Sequence, residues 1–226
     1  MTVSVLNGYT TLQDLKDCFA TESFDVVDDN VMNDLINTAS RLIDTVCSRT
    51  FYTRTETRYF DIPGNRSFPM DAYDNRKGGG YRLELPFDDD LQTVTTLTNG
   101  DGTTIASTQY DLLPYNFTPK YALRLKRSSP VAWLTDTNGN FERVIAVAGT
   151  WGFCDRTTPA DATAYRAVQN TRQACHIIAA AEYRRRRGQD VQAATITPAG
   201  VVLTPQGIPR SAWDLIAPFQ RRMSYQ

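Results

Sequence analysis

Histidine is almost missing from this chain of 226 residues; His176 is the only one. Triad chemistry built on imidazole therefore has a single possible base. Its neighbour Cys175 lies about 100° away around a helix, so the two do not meet as a dyad. Zinc sites need about four Cys or His ligands at close spacing. The four cysteines, Cys18, Cys47, Cys154 and Cys175, are scattered with no CxxC pair, and they read as reduced, mostly buried thiols. No apolar run approaches the roughly 18 residues of a membrane-spanning helix, so no membrane span is expected. The opening MTVSVLNGYTTLQDL has no basic stretch followed by an apolar one, so no signal peptide is expected. Excess charge is also missing. A net charge of −1 argues against a dedicated nucleic-acid binder.

The charge that is present is polarised. Residues 1–50 carry eight acids against three bases, whereas residues 151–226 carry ten arginines against five acids. An acidic start and a basic end suit subunits that pack head to tail. They equally suit helices that each have a solvated face.

Helix and strand patterns alternate along the chain and predict an α+β fold. Leu12, Leu15 and Phe19 mark a short helix over Thr11–Ala20. From Asp28 to Arg49 the apolar residues Val31, Met32, Leu35, Ile36, Ala39, Leu42, Ile43, Val46 and Cys47 recur at steps of three and four, the spacing of one helical face. Asp28 or Asp29 is placed to cap the first turn. The pattern then switches to Phe51, Tyr52, Thr53, Thr55, Thr57, Tyr59 and Phe60, which suits a strand, with Arg54, Glu56 and Arg58 on its other face. Further strands are predicted at Tyr81–Leu85, Val94–Leu97, Tyr110–Leu113, Tyr121–Leu125 and Val144–Ala148. Turn signals at Pro63-Gly64-Asn65, Lys77–Gly80, Asn99–Gly102 and Asn138-Gly139-Asn140 separate them. A long helix is predicted over about Asp161–Arg187, on the order of 40 Å at ~1.5 Å per residue, with Tyr165, Val168, Cys175, Ile178 and Ala179 as its stripe and Gly188 as its end. Beyond it, residues 189–209 read as extended and proline-broken. A last short helix follows over Ser211–Met223, capped by Ser211 and interrupted at Pro218. The predicted organisation is a domain over 1–188, β-rich over about 51–152, followed by an arm over 189–226. That arm either reaches a neighbour or folds back on its own domain.

Three clusters could carry chemistry. Asp88-Asp89-Asp90 is the densest carboxylate group; lacking the glycine and distant glutamate of a calcium loop, it reads as a solvated turn. Lys77–Gly80 lacks the trailing Gly-Lys-Ser/Thr of a phosphate loop and reads as a flexible connection. Arg184, Arg185, Arg186 and Arg187 form a cationic knob at a helix C-terminus, where positive charge is favoured. The knob suits a protein partner, a solvated helix end or nucleic-acid phosphates. Trp213, Ile216, Phe219 and Met223 line one side of the last helix. With the four arginines they are the candidate partner-interface residues. No catalytic, cofactor-binding or metal-binding residues are assigned.

Several segments in order, YTTLQDLKDCF, VMNDLINTASRLIDTVCSRTF, YTRTETRYFD, LELPFDDDLQTVTTLT, QYDLLPYN, AVAGTWGF and AAAEYRRRRG, resemble the head-to-tail connector, or adaptor, proteins of tailed double-stranded DNA bacteriophages and gene transfer agents. The resemblance covers about Tyr9 to Gly188. It implies a structural virion protein that is not an enzyme and uses no cofactor. It implies a homo-oligomeric ring, usually twelve-fold, at the neck beneath the portal protein of the capsid vertex. The ring extends the DNA channel and meets a tail-side neck protein, a stopper or tail terminator, after assembly in the host cytoplasm. Packaged DNA then passes without sequence-specific binding, no membrane is involved, and near-neutral charge fits that passage. The longer β region and the tail after Gly188 depart from compact members of the family. Two other classes stay open at this level. One is a DNA-binding module using the arginine knob; the other is a hydrolytic tail enzyme using Asp88–Asp90.

Overall fold

The computed structural model describes residues 3–19, 24, 26–63, 84–158, 161–187, 194–197, 200–203 and 207–221. In chain order the elements begin with α1 (Leu12–Asp17), α2 (Val26–Cys47), β1 (Arg54–Phe60), β2 (Glu84–Thr98), β3 (Thr104–Ile105), β4 (Tyr110–Leu113) and β5 (Lys120–Leu125). They continue with β6 (Ile145–Trp151), β7 (Cys154–Thr158), β8 (Asp161–Ala167), α3 (Gln169–Arg186), β9 (Ala194–Thr197), β10 (Gly200–Leu203) and α4 (Arg210–Ile216). The chain is α+β and divides into two compact units: a helical unit of Met1–Tyr52 with Cys154–Gln226, and a sheet unit of Thr53–Phe153.

The helical unit forms because α2 and α3 each present a continuous apolar stripe. On α2 the buried residues are Met32, Leu35, Ile36, Ala39, Ser40, Ile43 and Cys47, a 3-1-3-1-3-4 progression that keeps one face inward. Leu42 falls outside that stripe and is 36% exposed. On α3 the buried residues are Thr171, Ala174, Cys175, Ile178, Ala179, Ala180 and Tyr183. The facing residues are small, so the helices approach closely, and Ser40 Oγ lies 3.5 Å from Cys175 Sγ. Each fully buried Leu, Ile or Met side chain contributes about 1.5–3 kcal/mol, and Leu15, Met32, Leu35, Ile36 and Ile43 all qualify. Thr11 caps α1 through a reciprocal box: its hydroxyl accepts from the Asp14 N–H at 3.1 Å, and its own N–H donates to the Asp14 carboxylate.

Three helix boundaries differ from expectation. Helix α2 begins at Val26, so Asp28 and Asp29 lie within the first turn and do not cap it. There they still favour the positive end of the helix dipole, and both pair outward: Asp29 with Lys16, Asp28 with Arg187. Helix α3 begins at Gln169 rather than Asp161, so it is ~27 Å long at ~1.5 Å per residue. Its expected first two turns are instead β8, antiparallel to β7 with Cys154 opposite Ala167 and Thr158 opposite Asp161. Tyr165 therefore belongs to a strand, and Val168 occupies the N-cap position. The alanines of Asp161–Ala167 suggest helix, but the partner strand is a tertiary contact that outweighs that weak local preference. Helix α4 begins at Arg210 with Pro209 at the N-cap position, so Ser211 is inside the first turn. After Ile216 the chain tightens into a 3-10 turn over Ala217–Phe219, as expected where Pro218 lacks an N–H for the α-helical ladder. Part of the extended tail pairs with itself as β9 and β10, Thr197 opposite Gly200. Gly188 lies outside the described residues, as do Lys77–Gly80.

The sheet unit is an antiparallel sheet in the order β1-β6-β2-β5-β4, with β3 paired to β2. Its core gathers Leu85, Phe87, Leu91, Leu97, Ile105, Tyr110, Leu123, Trp133, Ile145, Val147 and Trp151. Strand β6 alternates strictly, with Ile145, Val147, Gly149 and Trp151 buried, because every second side chain shares a face. Gly149 is required there: a Cβ would stand 2.2 Å from the Thr93 carbonyl oxygen of the neighbouring strand.

Two further expectations change in this unit. Glu84 and Leu85 of the predicted strand Tyr81–Leu85, whose first three residues lie outside the described residues, and the predicted strand Val94–Leu97 fall on a single β2, which also contains Asp88–Asp90. The register shifts between Pro86 and Leu91 against β5, and again between Leu91 and Thr93 against β6. Such bulges let a strand carry proline and aspartates. In β1 Arg54, Glu56 and Arg58 do lie opposite Thr55, Thr57 and Tyr59, but Phe60 shares the arginines' face; that charged face is the half-buried side, while Thr55, Thr57 and Tyr59 are exposed. The cause is the carboxylate cluster that the arginines meet.

Candidate functional site

Asp88–Asp90 is not a solvated turn. Asp89 is 8% exposed and Asp90 is fully buried. Strand β1 brings its two arginines onto the cluster. Arg54 donates to Asp89 at 2.9 Å. Arg58 reaches Asp89 at 2.8 Å, Asp88 at 3.1 Å and its strand neighbour Glu56 at 2.6 Å. The Arg58 guanidinium also lies over the Trp151 ring, 4.6 Å from its centroid, and the Trp151 indole N–H donates to the Glu56 carbonyl at 3.2 Å. Burial works against the charge on Arg58, but the Glu56 hydrogen bond and the charges of Asp89 and Asp88 outweigh it and hold its pKa above the ordinary value. The Gly152 N–H donates to the Asp90 carbonyl at 2.7 Å, and the Gln92 amide donates to the Gly152 carbonyl at 2.7 Å. The Asp88 and Asp89 carboxylates are thus matched to cations, Asp89 also accepts from the Asp90 N–H at 2.8 Å, and the arrangement works as a latch of β1 onto β2. Among the described residues no group of three or more His, Cys, Asp or Glu is arranged to hold a metal ion.

The four arginines at the end of α3 are each held by their own chain. Arg184 stacks over Phe19 at 5.1 Å. Arg185 pairs with Glu182 at 2.6 Å, and Arg186 approaches the same carboxylate at 3.7 Å. Arg187 pairs with Asp28 at 3.2 Å and lies over Tyr183 at 5.1 Å, while the Tyr183 hydroxyl donates to Asp28 at 3.0 Å. The guanidinium heads nonetheless remain exposed, 62% for Arg185 and 54% for Arg186. This is a fixed cationic surface, partly neutralised by Glu182 and Asp28.

Helix α4 returns to its own unit. It packs against α3, with Ile216 fully buried and its carbonyl accepting from Cys47 Sγ at 3.7 Å. Phe219 sits edge-on to Phe51 at 6.1 Å, and the Arg221 N–H donates to the Cys47 carbonyl at 2.9 Å. Ile216 and Phe219 thus face inward, whereas Trp213 is 39% exposed. Met223 lies outside the described residues.

One surface was not anticipated from the sequence. The connection from β4 to β5 carries Tyr115, 58% exposed, and Phe117, 72% exposed, and Tyr121 follows at 41%. The Lys120 ammonium holds this loop by donating to the Pro114 and Tyr115 carbonyls at 2.6 and 3.0 Å, and Arg124 donates to the Tyr115 hydroxyl. The sequence signal was the QYDLLPYNF run itself, an aromatic pair in a segment too short to bury it.

The buried titratable groups of the helical unit are structural. Cys175 turns to Ser40 and the Ile36 carbonyl, while His176 Nε2 meets the Thr10 hydroxyl, so adjacent residues serve different elements. Burial lowers the His176 pKa, with Asp14 opposing and Arg172 adding to the effect. Burial pushes the Cys47 and Cys175 thiols up to about 11. The Tyr9 pKa is raised by burial and by Asp44, whose carboxylate accepts a hydrogen bond from the Tyr9 hydroxyl.

No family model matches the chain, and no curated protein matches it. A solved structure described as "Neck of empty GTA particle computed with C6 symmetry" is similar at a TM-score of 0.49 and 15% identity, over 96% of this chain and 92% of that one.

Proposed function

We propose that this chain is a structural neck protein of a tailed phage or gene-transfer-agent particle. In this reading copies form a ring that docks beneath the portal, continues the DNA channel and offers its far side to a tail-side neck protein. The observation that carries the reading is the ordered set of connector-like segments, from YTTLQDLKDCF to AAAEYRRRRG. Two features of the surface support it. The arginine end of α3 is placed by ion pairs and ring contacts yet exposed, a form of cation that suits carboxylates on a protein partner. The Tyr115–Phe117 loop presents large aromatics, the residue type that dominates interface energetics. In this proposal Arg184–Arg187, Trp213 and the aromatic loop touch partners, while Ile216 and Phe219 anchor α4. Two of the four arginine charges are offset by Glu182 and Asp28, which weakens the case for phosphate binding.

The test is assembly. Arg185→Glu with Arg186→Glu, made in the full chain, costs about 1–2 kcal/mol of stability through the lost Glu182 pairs and the reversed charge at the helix end, leaves the chain folded, and blocks incorporation into particles. A DNA-binding role predicts the opposite pattern: a steep salt dependence of DNA affinity that the double variant flattens, with incorporation intact.

A further inference from the structure

The N-terminal segment lies along α2 as a bound peptide. Side chains at helical spacing on α2 meet its backbone in register. The Val3 N–H donates to Asn30 Oδ1 at 2.9 Å, and Asn33 Nδ2 donates to the Val3 carbonyl at 2.8 Å. Asn37 reads both directions: its Nδ2 donates to the Ser4 carbonyl at 3.0 Å, and its Oδ1 accepts from the Leu6 N–H at 2.8 Å. Arg41 donates to the Asn7 carbonyl at 3.0 Å, and Ser40 Oγ accepts from the Tyr9 N–H at 3.1 Å. Asparagine is a poor choice in a helix interior, so placing it at 30, 33 and 37 has a cost that this contact explains.

The ladder reads main chain, so it does not depend on which copy supplies the segment. The segment also has two mechanically distinct parts. Tyr9 and Thr10 are buried and anchored, Tyr9 between Asp44 and the Phe51 N–H, which donates to its hydroxyl at 2.8 Å. Leu6, by contrast, is 69% exposed. Between them the backbone turns at Asn7, with φ of +51°. Gly8 follows, seated so close to Ile36 that a Cβ would stand 2.9 Å from its Cγ2. The turn is a natural hinge: residues beyond it can leave α2 while the anchor stays.

We propose that the Asn30–Asn33–Asn37 ladder is a binding site for extended peptide main chain, and that on assembly its occupant is exchanged, so that Val3–Leu6 of one copy lies on α2 of a second copy. The inference rests on the reading above that copies assemble. Exchange replaces each hydrogen bond by an identical one, so effective concentration decides it. The four residues Val3–Leu6 reach about 14 Å when extended, which restricts the exchange to copies in direct contact.

The test uses the full chain with Cys18→Ser, since Cys18 is the exposed thiol. One preparation carries Ser4→Cys and another Asn37→Cys; they are mixed, assembled and mildly oxidised. Thr38→Cys, on the exposed side of α2, replaces Asn37→Cys in the control. Exchange predicts an interchain disulfide yield several-fold above that control. A single chain carrying both Ser4→Cys and Asn37→Cys must also close internally when dilute, which shows that the variants fold with the segment in place. Internal closure with an interchain yield no higher than the control overturns the exchange. Light scattering on the same samples separates the two readings: assembled copies without the interchain bond leave the ring standing, whereas copies that never assemble overturn both.

Discussion

Asp88 and Asp89 are adjacent in sequence and opposite in consequence. The Asp88 side chain is 73% exposed and pairs with Arg58, whereas the Asp89 side chain is 11% exposed and holds both Arg54 and Arg58. Removing one member of a buried ion pair leaves the other uncompensated, at a cost of about 3–5 kcal/mol, while exposed pairs contribute about 0–1 kcal/mol. Asp89→Ala is therefore expected to lower sheet-unit stability by ~3 kcal/mol and Asp88→Ala by under ~1 kcal/mol, read from urea midpoints. His176 has a pH signature. Its pKa is depressed by burial, so the unfolded chain takes up a proton first as pH falls below ~6.5. The helical unit is thus expected to be fully stable above ~6.5 and to weaken as pH drops from there, and His176→Gln is expected to flatten that slope in chemical denaturation. The thiols act at the other end. Cys47 and Cys175, raised to about 11, supply stability that is complete below the ordinary thiol pKa of ~8.5 and is lost as pH rises towards 11. At pH 8 a thiol reagent is expected to label Cys18 in the native protein and the buried Cys47, Cys154 and Cys175 only on unfolding.

At the scale of elements, what was legible in the sequence was what depends on local periodicity. The stripe from Met32 to Cys47 identified α2 because one helix face sees one partner, and Tyr110–Leu113 was found to the residue. What was hidden depends on distant partners. Glu84–Thr98 reads as two strands split by a turn, since nothing local shows that Arg54 and Arg58 wait across the sheet for Asp89. The same pairing makes the charged side of β1 its half-buried side, which alternation alone does not indicate. Asp161–Ala167 reads as helix until β7 is in place beside it. Among the interface candidates, exposure was the missing quantity: amphipathic spacing put Trp213, Ile216 and Phe219 on one side but could not tell that α4 lies against α3. Two substitutions probe these elements. Gly149→Ala drives a methyl into the Thr93 carbonyl and is expected to cost about 1–3 kcal/mol. Thr11→Ala removes the α1 capping box and is expected to cost about 1 kcal/mol. Both are measured by thermal or urea unfolding.

For the whole molecule, the chain passes twice between two compact units, at Tyr52–Thr53 and at Phe153–Cys154. The proposed ring uses the arginine end of α3, Trp213, the Tyr115–Phe117 loop and the asparagine ladder of α2, on which the exchanged Val3–Leu6 segment lies. Phe117→Ser is expected to leave the unfolding midpoint unchanged, because the ring is already 72% exposed, and to reduce incorporation into particles. The central claim is most directly tested by locating the chain in purified particles, with a neck density map at a resolution that distinguishes helices. The account predicts a closed ring of this fold between portal and tail. Particles whose necks lack the chain, or that carry it only outside the DNA channel, would contradict it.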